Sequence, residues 1–150
     1  MRRTAAHLLL PVLALTALAA CGSDDDTSSS AADATAAAAV PAGEVQLISA
    51  TEAKALLDAP PAGLVILDVR TPEEFASGHI EGATVLDFNS STFVDDLSKL
   101  DQGVPYFVYC HSGNRSGKAT QAMQQLGFTT VYNLDGGVTA WQAAGYPLIS

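Results

Sequence analysis

The chain is 150 residues long, enough for one domain of ordinary size once a targeting segment is set aside. Sixteen acidic residues against seven basic ones give a net charge of -9, and the imbalance persists in residues 44–150, which hold twelve acidic and five basic residues. Such a surface repels phosphate backbones and anionic headgroups, which excludes nucleic acid as a partner class.

The first residues read as an address. Met1-Arg2-Arg3 is a short positive start, and His7 to Ala20 is mostly apolar and interrupted by Pro11. Small residues precede Cys21, which is the pattern of a secretory signal rather than a spanning helix. Leu18-Ala19-Ala20-Cys21 resembles the lipobox of bacterial lipoproteins, in which the cysteine is lipidated and becomes the new N-terminus. An ordinary cleaved signal with a cysteine nearby is the alternative. The expected division is a signal peptide over 1–20, a lipidated Cys21 opening a tether over 21–43, and a domain over 44–150. The tether is Ser, Thr, Asp and Ala with almost no large apolar side chain, so it has too little to bury to offset chain entropy. As a random coil it would hold the domain about 25 Å from a bilayer. If Cys21 is acylated, Cys110 is left unpaired in the mature chain. An oxidising compartment favours paired cysteines, so a lone thiol there needs a reason.

In the domain, short apolar runs alternate with helical patterns. Val45 to Ile48 predicts a strand. Ser49-Ala50-Thr51-Glu52 has the spacing of a capping box and opens a helix through Leu57, which Pro60-Pro61 stops. Leu64 to Val69 is apolar except for Asp68, as in a strand buried on both faces. Thr71-Pro72-Glu73-Glu74 is a second capping box with proline at the first helical position, and that helix stops at Gly78. Further strands are expected at Thr84–Phe88, Tyr106–Tyr109 and Thr130–Tyr132. Further helices are expected at Phe93–Leu100, Lys118–Leu126 and Val138–Ala144. Alternation of this kind implies an α/β fold with a parallel sheet covered on both faces.

The chemistry concentrates in Cys110-His111-Ser112-Gly113-Asn114-Arg115-Ser116, between a buried strand and a helix. Gly113 and Gly117 permit backbone angles that turn successive N–H groups inward as an anion-binding nest. The following helix adds the partial positive charge of its N-terminus, and Arg115 adds a fixed one. A thiol at the centre is expected to ionise readily and act as a nucleophile. A cysteine alone would more simply be a buried core residue, but here three features converge on it.

This loop resembles the active-site loop of rhodanese domains, whose typical form is Cys-Arg-Ser-Gly-Asn-Arg-Ser. Three other segments resemble the same family: Leu67-Asp68-Val69-Arg70 with Glu74-Phe75, then Gly78-His79-Ile80-Glu81-Gly82-Ala83, then Leu134-Asp135-Gly136-Gly137 with Trp141. The resemblance implies a five-stranded parallel sheet flanked by helices on both faces, and sulfane-sulfur transfer through a cysteine persulfide. It makes Cys110 the sulfur acceptor and donor, held by the amides of His111 to Ser116, with Arg115 steadying the loop's charge and an anionic donor. His111 stands where the family has arginine, removing a permanent cation from the pocket mouth. Glu81 stands in place of a turn proline.

The supporting residues have simpler expected roles. Asp68 and Arg70 hold loops near the site, through an Arg70–Glu74 pair; His79 fixes the turn after its helix; Asp135 is a turn residue; Trp141 is core. No metal is expected, since Cys110 and His111 are adjacent and no second cluster has ligand spacing, and no cofactor is implied. The implied partners are a small sulfur donor and a thiol or cyanide acceptor, with the membrane touched through the lipid anchor alone.

The rivals are a cysteine-dependent phosphatase, an arsenate reductase, a thiol–disulfide oxidoreductase and a non-catalytic binding module. Phosphatase loops place five residues between cysteine and arginine where this one has four. Arsenate reduction also lacks its resolving cysteines, and no Cys-x-x-Cys exists for disulfide exchange. The binding module is the alternative that stays open.

Overall fold

The computed structural model describes residues 43–150. The expected signal peptide, the lipidated Cys21 and the tether up to residue 42 lie outside the described residues. Ten elements alternate strictly: β1 (Glu44–Ile48), α1 (Ala50–Asp58), β2 (Val65–Asp68), α2 (Pro72–Ala76), β3 (Ala83–Val85), α3 (Phe93–Ser98), β4 (Pro105–Tyr109), α4 (Asn114–Leu126), β5 (Thr130–Leu134) and α5 (Gly137–Ala143). The five strands form one sheet in the order β1-β5-β4-β2-β3, with every pairing parallel.

Both local start signals work as their spacing requires. The Ser49 hydroxyl accepts from the Glu52 amide while Glu52 returns to the Ser49 N–H at 2.8 Å. Thr71 and Glu74 reciprocate in the same way at the head of α2, with Pro72 in the first turn. Ahead of β1 the Gly43 N–H donates to the Thr129 carbonyl at 2.9 Å.

Side-chain alternation along the strands divides the interior into two cores. Phe107 and Tyr109 of β4 face α1 and α5, packing with Ala53, Leu56, Leu134, Val138 and Trp141. Tyr106, Val108 and Cys110 face the other way, toward Phe93 and Leu97 of α3 and Ala119 and Met123 of α4. The expected double burial of β2 holds for Leu67 and Asp68, whereas Val65 and Ile66 are half-buried.

The topology places the site. Chain leaving β2 goes outward to β3, while chain leaving the adjacent β4 goes the opposite way to β5. Beyond the carboxyl ends of two such strands the connections diverge and leave a crevice. Arg70 to Glu74 follow β2 there, and the cysteine loop follows β4.

Candidate active site

The loop is curled, and α4 explains why. The helix starts at Asn114, four residues earlier than its apolar pattern indicates, with Gly113 as N-cap at φ +92° and no side-chain cap. The first-turn amides therefore need another acceptor. One of them finds the sulfur: the Ser116 amide points to Cys110 Sγ, as does the Ser112 amide of the loop, and the N-cap Gly113 N–H donates to it at 3.1 Å. The residue that follows β4 thus sits at the head of the next helix, the arrangement that favours an anion at this point.

Burial is the largest single influence on the Cys110 thiol and pushes its pKa up. The Ser116 hydroxyl and the amides of Ser116, Ser112 and Gly113 together outweigh it, and the pKa ends below its usual value. The residue is 1 % exposed, more enclosed than a nucleophile at a pocket mouth would be. The β4 alternation aims its side chain toward α4, and the loop closes over it. Gly117 does not act as expected: its φ is not among the positive ones, and it sits inside α4 with its N–H donating to Gly113 O. Only Gly113 supplies the left-handed bend.

The second glycine pair has a role that the sequence reading missed. Gly137 has φ +57°, and a Cβ there would lie 2.3 Å from the Cys110 carbonyl and 2.7 Å from that of His111. This contact lets the start of α5 close on the loop from behind. Val138 N–H donates to Cys110 O at 2.9 Å, and Thr139 N–H and its hydroxyl donate to His111 O at 3.1 and 2.9 Å. Holding those two carbonyls back turns the succeeding amides toward the sulfur. The available signal was the doubled glycine itself, since one glycine would have sufficed for a turn.

The ion pairs differ from expectation. Arg70 does not bind Glu74; its Nε and Nη2 engage both carboxylate oxygens of Asp68, at 2.6–3.0 Å, and Nη2 also donates to Gly78 O at 2.8 Å. Both partners are buried, and the guanidinium lies 5.7 Å from the centre of the Tyr109 ring. Glu74 instead takes a two-pronged bond from Arg115, at 2.6 and 2.7 Å, across 41 positions of sequence. The reason is reach: Asp68 and Arg70 are two residues apart on the tip of β2, and Glu74 lies on the side of α2 that meets the cysteine loop. Arg115 is thus committed to α2 and is not held free for a donor.

His79 has a structural place. Its Nδ1 is 3.1 Å from Phe75 O, its ring stacks on Phe75, and its backbone exchanges two hydrogen bonds with Ile149. His111, Ser112 and Asn114 form the exposed rim of the loop, and Ser116 is fully buried beneath it. Trp141 is core, donating to Pro147 O at 2.9 Å.

The Arg115 hydrogen bonds, with lesser help from Arg115 and Arg70 charge, hold the Glu74 carboxyl down at about 2. A depressed carboxylate stabilises the fold at neutral pH and loses that contribution as pH falls from its free value of 4.5 through about 2. The two side chains are roughly a quarter to a third exposed, so solvent screening leaves about 1–2 kcal/mol. Glu74→Gln is expected to lose that much at pH 7 and to show a flatter decline between pH 4.5 and 2, read by denaturant unfolding at both ends.

A strand-loop-helix that wraps its amides around one cysteine, at the switch point of a five-stranded parallel sheet, defines the rhodanese class of domain. A family model described as "Rhodanese-like domain" matches residues 49–144. The chain belongs to this family. It is 40% identical over 85 residues to a thiosulfate sulfurtransferase GlpE of Pseudomonas entomophila, covering 57% of this chain and 75% of that protein. Among solved structures, a rhodanese-related protein from Thermoplasma volcanium superposes with a TM-score of 0.61 at 29% identity, over 69% of this chain and 97% of its own. A Rhodopseudomonas palustris protein described as a possible tyrosine phosphatase superposes with a TM-score of 0.58 at 26% identity, over 70% and 85%.

Proposed function

We propose that this rhodanese-like sulfurtransferase carries sulfane sulfur as a persulfide on Cys110 and works at the outer face of the cell membrane, tethered through a lipid on Cys21. The observation that carries the first part is the ring of amides around Cys110 Sγ, with α4 capped by the sulfur itself. Such a ring stabilises the thiolate before transfer and a persulfide anion after it. Cys110 would attack the sulfane sulfur of a donor, expel the donor's remainder, and later yield the sulfur to a small thiol or cyanide. Because Cys110 is almost fully enclosed, loading requires the structure around its sulfur to open.

Phosphatase chemistry has less behind it. Four residues separate Cys110 from Arg115, and that arginine is held by Glu74 rather than by the loop. The tethering part rests on the lipobox resemblance and the composition of the segment after it.

One preparation tests both parts. In the full-length protein expressed in a bacterial host, the mature N-terminal peptide is expected to begin at a diacylated Cys21 and to partition with membranes. Exposure to a sulfur donor should add one sulfur atom, about 32 Da, at Cys110. A mature chain starting elsewhere overturns the anchor; a Cys110 that takes sulfur from no donor makes the domain a binding module.

A further inference from the structure

The sheet face turned away from Cys110 is covered by α1 and α5, and its core includes Phe107, Ile80 and Trp141. At the margin of that core, Leu57 of α1 and Leu64 and Ile66 at the start of β2 stay only partly buried. A hollow of about 470 Å³ opens beside them. Ile80 and Trp141, 2 % and 3 % exposed, form its deep wall. Pro147 and Ile149 of the C-terminal segment also line it. That segment is pinned, because Ile149 exchanges two backbone hydrogen bonds with His79 and Pro147 O accepts from Trp141 Nε1. The walls are thus pre-formed, and the volume falls within the range of about 300–1,000 Å³ typical of small-molecule sites. Cys110 faces the opposite core, so the hollow is separate from the sulfur site.

Three charged side chains stand at the hollow: Lys54, Asp58 and Glu81. Lys54 pairs with Asp58 one turn along α1. The exposed carboxylate of Glu81 is left without an ion pair among the described residues. The other cations of residues 44–150 are engaged or distant. Arg70 pairs with Asp68, Lys99 with Asp96 and Arg115 with Glu74, while Lys118 lies on α4, which packs on the opposite face. Glu81 follows Ile80 directly, so an uncompensated negative charge adjoins an apolar wall. The one polar atom of the Trp141 side chain already donates to Pro147 O. An occupant is therefore held by apolar contact within and by positive charge at the mouth.

We infer that this hollow binds a small organic cation, an ammonium or guanidinium carried on an aliphatic body. Glu81 holds the charge, and the body lies against Ile66, Ile80 and Trp141. A carboxylate on the same body is disfavoured, since it faces Glu81 and has to draw Lys54 away from Asp58. Binding is non-covalent and does not depend on whether Cys110 carries sulfur.

Trp141 is the chain's single tryptophan, so its indole N–H gives one magnetic resonance signal that reports on the hollow. The full-length protein is titrated with n-hexylamine, n-hexanol and n-hexanoate at neutral pH. The amine should shift that signal saturably and bind about three- to fivefold more tightly than the alcohol, with hexanoate weakest and the gaps narrowing as salt rises. Glu81→Lys should invert the order. Ile149→Tyr, at a position 42 % exposed, should obstruct the hollow and weaken all three probes at least about tenfold, the equivalent of about two methylenes left unburied. Pro60→Tyr, at another exposed lining position, repeats that test should Ile149→Tyr melt early. Equal affinities for the three probes, or an order that survives Glu81→Lys, overturn the cation assignment. A shift that never saturates, or that both filling variants leave unchanged, overturns the site itself.

Discussion

Cys110→Ser is expected to abolish sulfur transfer while the domain stays folded within about 1 kcal/mol of the parent. A hydroxyl oxygen in place of Sγ still accepts from the Gly113 amide, and serine is itself a good acceptor for first-turn amides, so α4 keeps its cap. The change removes the one atom able to form a persulfide. Steady-state transfer and a thermal melt decide the matter together. Retained turnover would point to another nucleophile, and among the described residues Cys110 is the free thiol.

Gly137→Ala is expected to cost about 3 kcal/mol or more and to cut transfer about 100-fold, although residue 137 contributes no side chain to the site. Two penalties combine. Alanine at φ +57° carries about 1 kcal/mol of backbone strain. Its Cβ would also overlap the Cys110 carbonyl at 2.3 Å, where the obstacle is backbone and cannot swing away. The start of α5 must back off, releasing the bonds from Val138 and Thr139 that orient the loop. Gly145→Ala is the control: φ is +83°, but nothing lies within 4 Å of the added carbon. It should lose only the strain and none of the transfer. If the two variants behave alike, the clamp at the back of the loop has no special role.

These expectations draw on different levels of information. The two capping boxes were legible because each joins residues three apart, Ser49 with Glu52 and Thr71 with Glu74, so the signal and the contact are both local. The strands were legible as apolar runs, and β4 could be seen to run directly into Cys110. The third strand is shorter than its apolar run suggests: pairing in β3 ends at Val85, and beyond it the Leu86 N–H donates to Asp68 O at 2.8 Å and the Phe88 N–H reaches Val69 O only at 3.4 Å. The start of α4 was missed because Asn114, Ser116 and Gly117 are poor helix formers. That turn is helical because its amides have a sulfur to bind, not because of its own propensity.

The order of the strands was reachable only through family resemblance. Nothing in the local pattern says that β5 inserts between β1 and β4.

By itself the sequence determined which residues carry chemistry, since a cysteine between a buried strand and a glycine-bearing turn is written in adjacent positions. It also determined the α/β alternation and the acidity of the surface. The tertiary structure alone decided which charges meet, because Glu74 and Arg115 are 41 residues apart and Arg70 finds a nearer carboxylate in Asp68. It alone decided how deeply the sulfur lies, and that Gly137 must be bare for the loop to close. Contacts of that kind depend on where two distant segments cross, and a linear pattern of residue types holds no record of the crossing.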